Sequence, residues 1–379
     1  MERPSVPPLL VRVAVRLLPA VVFLLVGLGL VELFSASSVR GMDLKGDPLF
    51  FMKRQGCWVA VGFVTAWVTS RLPLRLWERL AWLMAAAALL LLALVLLIGH
   101  TAGGSRRWLF GFQPSEVAKF AAVVALAAWI ARIPLRRGRF REGLLLPGLG
   151  LVVTMLLILA EPDFGTTLLV GAVGWTILYV SGAQQKWLFV GAAIALLGLF
   201  VFLRTDAHRW GRVKAWWDPD HHKELAHQYI EARTAFALGG TGIKLGDSFQ
   251  KERYLPEAHT DYIFAILGEE LGIWGTLTIV ALFAAFLACG FCICLGAPDT
   301  FGAILAFGMT LCIGLQAVIN MYVTCGLLPT KGWGLPLVSF GGSNMVMTLA
   351  QVGILVNIGR RALEGLEHDR ATAARWWNR

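Results

Sequence analysis

Apolar stretches of membrane-spanning length recur from end to end of this 379-residue chain. Ten can be read: 17–37, 56–70, 76–98, 115–131, 143–161, 164–181, 186–203, 262–290, 300–324 and 338–359. In hydrocarbon a backbone must satisfy its own hydrogen bonds, which leaves helices and closed barrels. A spanning helix takes ~20 apolar residues and a spanning strand about half that. These stretches are continuous and mostly of helix length. The expected fold is therefore an all-α integral membrane protein with about ten transmembrane helices. Hydrophobic residues make up 57% of the chain and charged ones only 15%, which excludes an ordinary soluble globule. The first stretch lacks a small-residue cleavage site and reads as a true span rather than a signal peptide. No soluble domain of any size interrupts the series, so residues 1–379 are expected to form one membrane domain.

The basic residues set an orientation. Arg3, Arg12 and Arg16 precede the first stretch, and Arg71, Arg75 and Arg79 surround the turn after the second. Arg132, Arg136, Arg137, Arg139 and Arg141 crowd the turn after the fourth, and Arg360, Arg361, Arg370, Arg375 and Arg379 follow the tenth. With ten spans all of these fall on one side, together with both termini. The positive-inside rule makes that side cytoplasmic. The long segment 204–261, between the seventh and eighth helices, then lies outside with the turns at 99–114, 161–165 and 325–337. The net charge of +10 follows from this topology and calls for no nucleic-acid partner. A basic inner face also favours anionic lipid.

Within the long segment, Trp210, Trp216 and Trp217 are residues of the membrane interface type. Residues 224–238 have helical periodicity and suit a helix along the membrane surface, ended by Gly239-Gly240-Thr241-Gly242. That glycine run lacks the strand context of a nucleotide-binding fingerprint. Cys289, Cys292 and Cys294, near a helix end, read as packing residues rather than metal ligands, and no external pair suggests a disulfide framework. His221, His222 and His227 read as hydrated loop residues.

Charges at membrane depth are costly, so each needs a reason. Glu116 and Lys119, in Gln113-Pro114-Ser115-Glu116-Val117-Ala118-Lys119, are three apart and share a helix face. They form either a self-neutralising pair that holds the bundle or a charged wall of a substrate cavity. Glu161-Pro162-Asp163-Phe164-Gly165 places two acids in one tight turn, either a solvated turn fixed by Pro162 and Gly165 or one in which Asp163 or Glu161 faces the external cavity. Asp261 opens the eighth stretch, either as a helix N-cap or, with Thr260 capping instead, as a free carboxylate. His259 stands two residues before it. Glu269 and Glu270, two turns deeper, read first as structural, one of them paired with a basic residue from another span. Gln316 and Asn320 share a face of the ninth stretch. Lys331 is the one cation of the turn 329–336, and Ser339 to Asn344 opens the last stretch. Glycines beside Ser339 and Ser343 suit either close helix packing or an approach of backbone N–H groups to an anion.

These segments together resemble the SEDS family (shape, elongation, division and sporulation), which includes FtsW, RodA and SpoVE. The resemblance covers nearly the whole chain and rests on five motifs in order. They are Arg106-Arg107-Trp108 with Gln113 to Lys119, then Glu161 to Gly165, then Gly246 to Lys251. Tyr254 to Gly272 follows, and then Leu328 through Ser343. The forms Gln250-Lys251 and Leu255 to Asp261 look more like the division or sporulation branch. Phe340, where tyrosine is commoner, Trp333-Gly334 and the His-rich stretch from Asp218 to Ala226 depart from the family pattern.

The resemblance implies a peptidoglycan glycosyltransferase that polymerises lipid II outside the cytoplasmic membrane, for division or shape. It implies that Asp261 is the family's essential aspartate, that Glu116 and Lys119 are its functional pair in the fourth span, and that Asp163 is the acid after the fifth. It also implies a class B penicillin-binding protein as transpeptidase partner, with other divisome or elongasome membrane proteins. On that footing Asp261 takes the proton of the acceptor GlcNAc 4-hydroxyl, and the oxygen displaces undecaprenyl pyrophosphate from C1 of MurNAc with inversion. Lys119, Arg106, Arg107 and Lys331 are candidates to bind the pyrophosphate. Ser339, Ser343 and His259 are candidates for the same site. Asp163 would orient a sugar or help hold a divalent cation, Mg or Mn, although the sequence requires no cofactor. Two alternatives remain: a lipid II flippase, and a scaffold for the transpeptidase.

Overall fold

Helices take up every one of the expected stretches. The computed structural model describes residues 7–102, 105–109, 111–133, 140–205, 207–246, 248–253, 255, 257–330 and 332–377. The first three helices are α1 (Pro8–Lys45), α2 (Phe50–Arg71) and α3 (Leu74–Ile98). A short antiparallel hairpin follows, β1 (His100–Ala102) and β2 (Ser105–Trp108), then α4 (Pro114–Arg132). A π-helical turn at Arg141–Leu145 leads into α5 (Leu146–Ala160), and α6 (Phe164–Val180) and α7 (Gln185–Arg204) complete the first half. The long segment holds α8 (Ala207–Trp217), α9 (Lys223–Gly239) and the single turn α10 (Gln250–Arg253). The second half is α11 (Ile263–Glu270), α12 (Gly272–Gly296), α13 (Thr300–Thr324) and α14 (Gly342–Trp377).

Eight of the described helices are long and apolar enough to cross a membrane. They are α1, α3, α4, α5 with its π turn, α7, α12, α13 and the part of α14 to Gly365. The two remaining stretches correspond to α2, which carries Lys53, Arg54 and Gln55 in its first two turns, and to α6, which has 17 residues. Local signals set the ends. Proline stands at the start of α1 and α4, where its missing N–H costs nothing. Asp299 caps α13 and Asp163 caps α6. Gly46, in the left-handed region at φ 65°, closes α1.

Burial grades across the bundle. In α4, α13 and α14 most of the spanning window is enclosed by protein, whereas α7 is almost wholly exposed and so faces lipid. Leu18 and Leu25 of α1, Val124 of α4, Leu305 and Met309 of α13 and Leu349 of α14 belong to one continuous apolar core. The side of the bundle that carries α8 to α10 is called the loop face below.

Two expectations change. The first stretch continues well past residue 37: α1 has 38 residues, about 57 Å of helix against ~30 Å of hydrocarbon. Its last turns therefore stand out of the membrane on the loop face and carry Arg40 to Glu257. The eighth stretch is not continuous. It breaks at Leu271-Gly272, with Gly272 at φ +61°, a conformation that favours glycine. The break is held by the glycine-rich run, which does more than end α9. Ile273 N–H donates to the Gly240 carbonyl at 2.9 Å, and Lys244 N–H donates to that of Glu270. Backbone groups that a helix break would orphan are thus satisfied by another part of the chain. Glu269 and Glu270 sit at this break. Glu270 pairs with Lys251 at 2.9 Å, a residue of α10 rather than of another span. Glu269 accepts from the Ser248 hydroxyl and from Phe249 N–H.

Candidate active site at the loop face

The site is built where five pieces meet: the turn 257–262, the segment 332–341, the approach to α4, the α5–α6 turn and the loop-face end of α13. The turn is tight. Glu257, at φ +55°, accepts at its carbonyl from the N–H groups of Thr260 and Asp261, both at 3.1 Å. Its carboxylate pairs with Arg40 of α1 at 3.0 Å. Helix α11 starts only at Ile263, and no side chain caps it. Asp261 is therefore not the N-cap that its position allowed. No described residue donates a hydrogen bond to its carboxylate, and its side chain stays partly exposed.

Two segments fix the Asp261 backbone. Asn320 of α13 donates through Nδ2 both to the Asp261 carbonyl, at 3.0 Å, and to the Trp333 carbonyl. Phe340 N–H donates to the His259 carbonyl at 3.1 Å. The segment 332–341, called the strap below, runs so close that a Cβ added to Gly332 would lie 3.2 Å from Asp261 Oδ2. Crowding by protein pushes the Asp261 carboxyl up to about 7. Glu257 pushes it the same way, and Arg107 and Arg212 pull it down. His259 is buried between Phe51 and Phe340, with ring centroids 4.8 and 5.8 Å away. Burial, with Arg40 nearby, drives its pKa down to about 4 against the opposing pull of Glu257. The ring is neutral at physiological pH and serves to pack the turn.

Glu116 and Lys119 lie behind the strap. Their side chains pair at 2.9 Å and are almost fully buried. Lys119 Nζ also donates to Gln316 Oε1 at 2.9 Å, and Gln316 Nε2 donates to the Gly334 carbonyl at 3.2 Å. The ion pair thus reaches the segment beside Asp261 through one amide.

Asp163 is buried and heavily engaged. It accepts from Thr166 N–H at 3.0 Å, the Thr166 hydroxyl at 2.9 Å, Gln113 Nε2 at 3.0 Å and the Ser115 hydroxyl at 3.3 Å. It ties the start of α6 to the start of α4. Ser343 accepts from Gln113 N–H at 2.9 Å and so joins α14 to the same junction. The Ser339 hydroxyl accepts from Leu335 N–H at 2.7 Å and shapes the strap from within. Gln55 of α2 donates to the Ser339 carbonyl and accepts from Gly341 N–H, both at 3.2 Å.

Of the expected site residues, the fold gathers Asp261, His259, Glu116, Lys119, Asp163, Arg107, Ser339 and Ser343 around this junction. Lys331 lies outside the described residues, as does the side chain of Arg106. Three participants had no assigned place in the expected site: Gln316, Asn320 and Arg212. Gln316 and Asn320 carried a signal, polar residues four apart on an apolar helix. Arg212 carried none, because nothing in a long loop says which residue folds back. Glu161, read with Asp163 as an acid of the outer turn, follows the last residue of α5 as that reading expects.

Comparison with known proteins agrees with this architecture. Residues 15–363 match the family described as cell cycle protein, FtsW/RodA/SpoVE. The chain is 41% identical to a probable peptidoglycan glycosyltransferase FtsW from Thioalkalivibrio sulfidiphilus, over 96% of this chain and 95% of that protein. It is 36% identical to a protein of the same description from Nitrosomonas europaea, over 90% and 92%. Among solved structures it is similar to a chain of a peptidoglycan synthase complex described for the coordination of polymerization and crosslinking. That match has a TM-score of 0.76 and 29% identity, covering 91% of this chain and 97% of that one. It is also similar to the rod shape determining protein RodA of Thermus thermophilus, with TM-score 0.68, 28% identity and coverage of 90% and 95%.

Proposed function

We propose that this chain, which belongs to the FtsW/RodA/SpoVE family of cell cycle proteins, is a peptidoglycan glycosyltransferase that polymerises lipid II. The observation that carries the mechanism is the Asp261 carboxylate. It is held by its backbone, committed to no hydrogen bond among the described residues, and raised to about 7. That is the state of a general base near its working pH. Asp261 takes the proton of the GlcNAc 4-hydroxyl of the acceptor, and that oxygen attacks C1 of the MurNAc of the donor. Undecaprenyl pyrophosphate leaves from the opposite side, and the product linkage is β-1,4. Because the leaving group is already good, one positioned base suffices for the proton transfer.

Glu116, Lys119 and Gln316 act behind the strap as positioning residues. Arg107, within electrostatic reach of Asp261, is the described cation best placed for the pyrophosphate. Arg106 and Lys331 remain candidates for the same role. Asp163 has four donors on its carboxylate, and the described residues hold no cluster of three metal-ligating side chains. These residues do not fit a cation cage, and no step here runs through a metal.

The loop face is the outer face of the cytoplasmic membrane, an assignment supported by the arginine-rich turns on the other side. A class B penicillin-binding protein is the partner that would crosslink the strands. The enzyme reading is favoured over a flippase because the small cavity beside Lys119 is otherwise lined, among the described residues, by Val123, Leu126, Leu151, Val170, Val173 and Cys312, a wall unsuited to a pyrophosphate. The test is polymerisation of purified lipid II, with the cognate transpeptidase present. Wild type should make glycan and Asp261→Asn should make none while melting at the wild-type temperature. Polymer from Asp261→Asn at the wild-type rate would refute the assignment.

A further inference from the structure

The α5–α6 turn holds a carboxyl with nothing to bond. Glu161 is fully buried, and neither of its oxygens has a hydrogen-bond partner among the described residues. Arg107 of β2 has the matching deficit: its Nε is buried and unpartnered. Buried polar groups are normally satisfied, so two orphans in one neighbourhood ask for a missing third group. The charged groups facing Glu161 are Asp163, from its own turn, and Arg107. Lys119 of α4 faces Asp163 from the other side. Burial, aided by Asp163 and opposed by Arg107, pushes Glu161 up to about 8. An ionised carboxylate buried without a donor would be costly, so at neutral pH the group keeps its proton.

A neutral carboxylic acid offers an O–H, and a guanidinium offers an N–H. The group that satisfies both at once is an anionic oxygen. A metal ion would serve Glu161 alone and be repelled by Arg107. We propose that Glu161, as the neutral acid, and Arg107 form a subsite for one phosphate oxygen of a prenyl-linked pyrophosphate, with both side chains donating to it. The proposal rests on the polymerase reading and states where the donor's pyrophosphate sits. Arg107 also lies within electrostatic reach of Asp261, so one guanidinium stands near both the base and the proposed leaving-group subsite. No proton need move: both hydrogen bonds strengthen as the C1–O bond breaks and charge grows on the departing oxygen.

The experiment is calorimetric binding of farnesyl pyrophosphate to the full-length protein in detergent, from pH 6.5 to 9.5. Asp261, which ionises at about 7 near Arg107, weakens anion binding early in this range, and a further, alkaline fall of about tenfold per pH unit should set in above about pH 8, as the proton of Glu161 is lost. Arg107→Gln should bind at least tenfold more weakly throughout. Glu161→Gln should bind several-fold more weakly than wild type at pH 7, but without the alkaline fall, because an amide N–H does not titrate there. An alkaline fall that survives in Glu161→Gln overturns the proposal, as does wild-type binding that is flat or tightens with pH. The wild-type profile alone can therefore refute it even where Glu161→Gln fails to fold. Lipid II polymerisation by wild type and Asp261→Asn is measured in parallel. Absence of polymer with intact, pH-dependent binding would refute the polymerase reading and leave the subsite standing.

Discussion

Replacing Lys119 by methionine separates the two roles of the buried pair. The substitution keeps an unbranched apolar stem, one atom shorter, and removes two bonds of 2.9 Å, one to Glu116 and one to Gln316. At an effective dielectric of about 20, a 2.9 Å pair corresponds to about 6 kcal/mol of Coulomb attraction. Desolvation of both groups offsets part of that. Lys119→Met leaves Glu116 as an uncompensated buried charge, which should lower stability by about 3–5 kcal/mol. The double variant Lys119→Met/Glu116→Gln removes the stranded charge. It should recover to about 1 kcal/mol below wild type, the residue being the lost bond to Gln316. Activity should not recover with it, since Gln316, released from Lys119, is no longer fixed in the position from which it holds the Gly334 carbonyl beside Asp261. Denaturant unfolding in mixed micelles reads the first effect and lipid II polymerisation the second. A single variant as stable as the double would refute the buried-charge argument. A double variant with wild-type polymerisation would refute the positioning role.

Two further outcomes follow from the geometry. The polymerisation rate should rise with pH to a midpoint of about 7, because Asp261 must lose its proton to act as a base and its pKa lies there. His259 lies near 4 and stays neutral across this range, so a rate that is flat between pH 5 and 8 would count against Asp261. Gly272→Ala puts a Cβ at 2.6 Å from the Gly242 carbonyl oxygen and 2.8 Å from that of Gly240, at φ +61°. The left-handed conformation alone should cost about 1–2 kcal/mol, and backbone atoms have little room to give way. Thermal unfolding in detergent should show the loss, and an unchanged melting point would contradict the break.

How much of this was legible in the sequence depends on which interaction decides each element. Spans are decided by hydrophobic length, and the ten stretches correspond to helices within a few residues at most ends. The helix break at Gly272 was hidden because Leu271 to Ile279 is as apolar on one side as Ile263 to Leu267 is on the other. Only the return of Gly240 and Gly242 from 30 residues earlier makes the break stable. The emergent part of α1 was missed for a related reason: hydropathy falls after residue 37, but the helix persists because its end meets Glu257. At the site, residue types pointed correctly to charge and polarity. They could not say that Asp163 would be consumed by four donors while Glu161, two residues away, would have none. That difference is set by which side of a tight turn faces Gln113 and Ser115, which is tertiary information.

The division of labour between these carboxylates has a physical logic. A general base cannot be held by strong hydrogen bonds to its own oxygens, since each bond to the charged form lowers its basicity. Its position must then come from the backbone. Around Asp261 the donors act on carbonyls: Asn320 on Asp261 itself, Phe340 on His259, and the N–H groups of Thr260 and Asp261 on Glu257. On the far side, α11 is clamped by Glu269 to the segment at 248–250, while Glu270 is bound to Ser35 of α1 and to Lys251. Eight residues of helix therefore separate two fixed points, with Asp261 just beyond one of them. Glu257, Asp163, Glu269 and Glu270 accept hydrogen bonds so that the turns and the broken helix keep one arrangement. Asp261 can then keep a free carboxylate without being mobile, in a low-dielectric setting that raises its pKa into the working range.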